Sequence, residues 1–163
     1  AWSTLCAMKH SLSGSPIHRR AFLAGGAGIA SLAACAVPAE ATELSALETR
    51  NLQVVTDFCA AWPSHDLARL LAFFADDGAY RMTETTDLAK GKEAVAARIR
   101  SFLDRVQGFE IKESFVRGPM VINERIDRFS GGPLKAWHGV GVFFLRDGQI
   151  VDWYDYTIDM ERA

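Results

Sequence analysis

Apolar residues recur along this chain in two rhythms, and the change from one to the other divides it. Over residues 44–62, Leu47, Val55, Phe58, Cys59 and Trp62 return every three or four places and form one apolar stripe, which predicts a helix. Pro63 and Ser64 end it, and Ser64 or Asp66 caps a second helix over 66–75 with Leu67, Leu70, Leu71 and Phe74 inward. Asp76-Asp77-Gly78 reads as a turn, Ala79 to about Thr83 as a short strand, and the polar stretch up to Lys90-Gly91 as a loop. A third helix over 92–106 turns Val95, Ile99, Phe102, Leu103 and Val106 inward. From residue 108 the period becomes two. Strands are predicted over 108–117, 120–129, 135–145 and 149–158, broken by Gly118-Pro119 and by turns at Ser130-Gly131-Gly132-Pro133 and Asp147-Gly148. Three helices against one curved antiparallel sheet make an α+β fold, a cone that leaves a pocket at its open end.

Residues 1–41 follow neither rhythm. His18-Arg19-Arg20-Ala21-Phe22-Leu23 looks like a twin-arginine export motif, and the apolar run after it, Ala24 to Ala34, is too short and too rich in Ala and Gly for a spanning helix. Leu32-Ala33-Ala34-Cys35 looks like a lipobox, which would leave a lipid-modified Cys35 as a membrane anchor. Ala39-Glu40-Ala41 also fits a cleavage site, which would release a soluble protein beginning at Thr42. Met8 reads as the true start. The expectation is an exported protein, periplasmic or membrane-anchored, with one domain over 42–163.

Composition narrows the classes further. The chain has 163 residues, 18 Lys+Arg against 20 Asp+Glu. Setting aside Lys9, Arg19, Arg20 and Glu40 leaves the domain more acidic still, with no basic stripe, so nucleic acid is excluded as an expected partner. Of three cysteines only Cys59 lies beyond the leader. It can form no internal bridge, and its place on the apolar stripe makes it a core thiol.

Chemistry concentrates on two strands. Alternation puts Val121, Asn123, Arg125, Asp127 and Phe129 on one face, so Arg125 and Asp127 point the same way. The last strand sets Asp155 on a face with Val151, Trp153 and Thr157. A carboxylate among such neighbours is costly to bury unpaired, and one planar guanidinium can hold two carboxylates at once. Two acids bridged in this way separate in protonation and supply a base and an acid to one pocket, the pair that opening an epoxide needs. Spacing alone leaves open a structural ion-pair cluster on the sheet's outer face. His138 has the opposite parity to Trp137 and Gly139, which suits packing or surface.

Residues 50–158 resemble the limonene-1,2-epoxide hydrolase family, the specific part being Asn123-Glu124-Arg125-Ile126-Asp127 and Trp153-Tyr154-Asp155-Tyr156. The resemblance implies Asp155 as the base that takes a proton from water, Asp127 as the acid that protonates the epoxide oxygen, Arg125 as their bridge and Tyr80 as a holder of the attacking water. Trp153, Phe129, Met82 and Trp137 would line the substrate pocket. It implies no metal, cofactor or covalent intermediate, and pairing into a homodimer through the outer face of the sheet. Met82 stands where the family has a second water-holding residue, an asparagine. Thr83 or Glu84 nearby could compensate, but adjacent residues on a strand face opposite ways. Four functions therefore stand: hydrolysis of a small apolar or cyclic epoxide, an epoxide-opening cyclase, an isomerase on the same fold, and a non-enzymatic envelope protein that binds small molecules. Arg125, which would keep Asp127 ionised and favour a shared-proton site, speaks against the isomerase.

Overall fold

A computed structural model describes residues 43–162. The export motif, the lipobox at Cys35 and the cleavage site after Ala41 lie outside these residues. Helix α1 (Ala46–Ala61) begins at Ser45, whose hydroxyl accepts from the Glu48 amide while the Glu48 carboxylate reaches back to the Ser45 amide, a reciprocal cap. Asn51 on its buried side donates to the Gly118 carbonyl at 2.9 Å, tying the helix to a hairpin turn of the sheet. After a short 3-10 turn, Asp66 caps helix α2 (Leu67–Leu71), its carboxylate accepting from the Arg69 amide at 3.1 Å. Helix α3 spans Lys92–Arg100.

The strands are β1 (Phe74–Arg81), β2 (Ala89–Lys90), β3 (Val106–Arg117), β4 (Met120–Phe129), β5 (Leu134–Arg146) and β6 (Gln149–Arg162). They form one sheet in the order β2-β1-β6-β5-β4-β3. The four late strands run antiparallel as their turns require, with Asp147 and Gly148 both at positive φ as a two-residue hairpin demands. β1, in contrast, joins β6 in parallel, so the sheet is mixed at that edge.

The core lies where the helices meet the inner face of this sheet. Phe58 of α1 is its hub, packing edge-on against Trp62, Phe74, Phe143 and Trp153 with ring centroids 5.1–6.1 Å apart. Val55, Leu70, Val95, Ile99 and Leu103 fill the space around it. Burying such side chains contributes roughly 1.5–3 kcal/mol each.

Several expectations are corrected here. The second helix stops at Leu71, because Phe73 and Phe74 are taken by the sheet: the Phe73 carbonyl accepts from the Ile150 amide at 2.8 Å, and Phe74 pairs with Ile150. A spacing of three between Leu71 and Phe74 cannot reveal that competition. The third helix stops at Arg100, and a 3-10 turn over Leu103–Arg105 presents Leu103 and Val106 inward equally well, since three-residue spacing suits either helix. Residues 89–90, expected in a loop, pair with β1. Leu47 is half exposed, outside the stripe expected of it. In β3 a bulge between Ile111 and Glu113 shifts the alternation, which sends Phe115 to the exposed outer face.

Candidate active site

Register decides which polar groups meet. Asn123 of β4 lies opposite Gly141 of β5, and Gly141 lies opposite Asp155 of β6. A side chain on β4 can reach β6 only by lying flat across β5, and β5 has no side chain at Gly141 to obstruct it. A Cβ there would sit 2.2 Å from Arg125 Nη1. At Gly139 a Cβ would meet the Trp137 ring at 2.1 Å. Two alternate glycines thus open a groove in which the Arg125 guanidinium and the Trp137 indole lie.

In that groove Arg125, fully buried, donates in three directions: Nε to Asp127 Oδ1 at 2.9 Å, Nη1 to Asn123 Oδ1 at 3.0 Å and Nη2 to Asp155 Oδ1 at 2.8 Å. The rings of Phe109, Trp137 and Trp153 surround the guanidinium, with centroids 4.9–5.6 Å from its carbon. Asn123 donates in turn to Cys59 Sγ at 3.5 Å. Burial pushes the Cys59 thiol up to about 12, so it stays protonated and serves as packing.

The two carboxylates are held unequally. Asp155 accepts from Arg125, from Trp153 Nε1 at 2.7 Å and from Tyr80 Oη at 3.2 Å. Among the described residues Asp127 accepts only from Arg125 Nε. One guanidinium beside two buried carboxylates carries a net charge of −1 if both are ionised, and the interior disfavours that. Burial raises both acids against the pull of Arg125, and Asp127 reaches about 7. Asp155 has the additional donors Trp153 and Tyr80 to stabilise its charged form, so the shared proton rests on Asp127. Burial lowers the Arg125 value, but the two carboxylates outweigh it and the net shift is upward, keeping the guanidinium charged.

The two carboxylates border a pocket of about 160 Å³ at one end of the sheet, with the fully buried Arg125 behind them. Asp127, Asp155 and Tyr80 line its depth, and Phe129, Met82 and Trp137 line its walls. The structure therefore brings together Asp155, Asp127, Arg125 and Tyr80, with three of the four expected wall residues around them. Trp153 is the exception. It is stacked against Tyr80 at 3.8 Å and against Phe143, away from the lining, and its contribution to the site is the hydrogen bond to Asp155. Thr83 does line the pocket. β1 ends at Arg81, so strand parity no longer governs residue 83. His138 faces outward to Glu124 at 2.7 Å. Sequence reasoning missed Asn123, although it shares the strand face of Arg125, and missed the glycines of β5, whose spacing of two in an apolar strand was the available signal. Among the described residues no group of three or more His, Cys, Asp or Glu side chains is placed to hold a metal.

The SnoaL-like domain profile matches residues 55–153, which span every strand of the site up to Trp153. The chain belongs to the SnoaL-like domain family. This SnoaL-like domain is similar to the structure of an M. tuberculosis LEH-like epoxide hydrolase, with 31% identity over 68% of this chain and 84% of that one, at a TM-score of 0.58. It also shares its fold with a putative polyketide cyclase from Xanthomonas campestris pv. campestris (22% identity, 67% and 90% covered, TM-score 0.56). A computationally designed 17-OHP binder has the fold as well (19% identity, 70% and 96% covered, TM-score 0.63).

Two expected results follow from this geometry. Gly141→Ala places a methyl where the guanidinium lies. It is expected to destabilise the SnoaL-like domain by about 1–3 kcal/mol, read from thermal unfolding, although Gly to Ala in an open strand position stabilises. Stability unchanged from wild type would show that the guanidinium does not occupy that groove. The second concerns pH. Asp127 binds its proton more tightly folded, near 7, than at its ordinary value of 3.8. Its stabilising contribution is therefore fully present below about pH 4 and is lost as pH rises through about 7. Asn at this position has no such loss. The Tm of Asp127→Asn relative to wild type should climb between pH 4 and pH 8, and a flat difference would contradict the shift.

Proposed function

We propose that this domain is an epoxide hydrolase that adds water to a small, apolar or cyclic epoxide in one step. The observation that carries the reading is the single guanidinium between two buried carboxylates that differ in hydrogen bonding, at the floor of a mostly apolar pocket. Asp155, held ionised, takes a proton from water. The water oxygen attacks an epoxide carbon as the carbon–oxygen bond breaks, and Asp127 gives its proton to the leaving oxygen. The product is a diol. Asp155 then holds the proton and Asp127 lacks one, so exchange with solvent restores the starting state. Arg125 fixes both acids and stays charged throughout. Tyr80, bonded to Asp155, orients the attacking water. Likeness to the M. tuberculosis LEH-like epoxide hydrolase supports the assignment.

Met82 favours a second reading. An apolar side chain on the wall where a water-holding amide is expected suits an epoxide-opening cyclase, in which a hydroxyl of the substrate replaces water. Turnover of a panel of cyclic and terpenoid epoxides, with and without a hydroxyl placed to attack the ring, in isotopically labelled water separates the two. A diol carrying one labelled oxygen supports hydrolysis, and a cyclic ether without label supports the cyclase. If no epoxide reacts, both readings fail. We further propose that the domain is exported by its twin-arginine leader and anchored through Cys35, and that two copies pair through the outer face, where Phe115, Tyr156 and Ile158 are exposed.

A further inference from the structure

Arg105 stands at the rim of the same pocket and is absorbed by none of this chemistry. It closes the 3-10 turn after α3, and its carbonyl accepts from the Ser130 amide at 2.8 Å, which staples that turn to the loop between β4 and β5. Its guanidinium lies against Gly132, with Nη1 3.3 Å from where a Cβ would be. Arg128 and Arg146 are paired with Glu110 and Asp77, whereas among the described residues the Arg105 side chain has no ion pair and no hydrogen bond. Arg105 is itself exposed, and the apolar side chains of Phe102, Phe129 and Leu134 line the same pocket.

We propose that the pocket takes a compact apolar substrate bearing a carboxylate, which Arg105 grips at the rim. The charge layout gives the substrate one orientation. At the floor Arg125 is already taken by Asp127 and Asp155 and offers nothing to an anionic head, whereas the cation at the mouth attracts it, and the apolar walls between receive the hydrocarbon body. The opposite end of the molecule then meets Asp127 and Asp155. This deepens the hydrolase reading by naming its substrate class, but the selectivity is a property of binding and does not need turnover.

Calorimetric binding of perillic acid and perillyl alcohol, which share one skeleton and differ in the anionic head, tests it on the wild type, Arg105→Gln and Arg105→Glu. The acid should bind wild type about 5- to 10-fold tighter than the alcohol. The preference should vanish in Arg105→Gln, reverse in Arg105→Glu and shrink with added salt. Equal binding to wild type, a preference that survives Arg105→Gln, or no binding of the acid would overturn the proposal. An intact acid preference with no epoxide turned over would support it and sink the hydrolase reading alone.

Discussion

Asp155→Asn is expected to lower kcat on an epoxide substrate by about 10³-fold while leaving the fold in place. An amide cannot take the proton from water, yet it fills the same space and can still accept from Arg125, Trp153 and Tyr80 through its oxygen. Removing the charge also leaves Asp127 as the one carboxylate paired with Arg125 among the described residues, a neutral pair that is well suited to the interior. Stability should therefore hold or rise as activity falls, the combination expected where a strained charge serves chemistry. Steady-state kinetics beside thermal unfolding reads both. A variant that keeps wild-type turnover would remove Asp155 from the reaction. One that loses turnover only because it unfolds would leave its role as a base unsupported.

Arg125→Met is expected to act on the fold instead. The substitution keeps much of the volume but leaves two buried carboxylates without their cation, a change that costs about 3–5 kcal/mol. In a domain whose whole stability is of the order of 5–15 kcal/mol, that is a large share. The loss should grow with pH, because the stranded acids must stay protonated in the fold while the unfolded chain ionises freely. Denaturant unfolding at pH 5 and pH 8 measures it. Adding Asp127→Asn should recover part of the loss at pH 8, since one of the two stranded charges is gone, and the double-mutant cycle gives the coupling directly. A loss that does not depend on pH would mean that the carboxylates are not what Arg125 neutralises.

Much of this site was legible in the chain because strand alternation is a strict rule. Arg125 and Asp127 had to share a face wherever β4 lay, and Phe129 with them. Asp155 could be drawn to them only by the resemblance, since spacing within one strand carries no information about which strand lies two places away. The groove that permits the bridge was written as Gly139 and Gly141, but a glycine signals a close approach without naming what approaches. Parity puts Trp153 on the correct face but cannot show what the ring does there. Stacking against Tyr80 and Phe143 pulls it from the pocket, and those neighbours come from β1 and β5. The boundaries of α2 and α3 were lost to competition with the sheet, which takes Phe74 and Val106 out of patterns that read as helix. Thr83 reached the pocket because β1 ends two residues before it, and an ending is what periodicity locates least well.

The claim beneath the mechanism is that Asp127 and Asp155 share one proton across Arg125 at neutral pH. Titration of the aspartate carboxyl carbons by NMR, in protein labelled at those carbons, observes that proton directly. One aspartate should ionise near pH 7 and be missing from the spectra of Asp127→Asn. If every aspartate has finished ionising by about pH 5, as unperturbed carboxyls do, or if the late one persists in Asp127→Asn, the pair holds no such proton and has none to give to an epoxide oxygen.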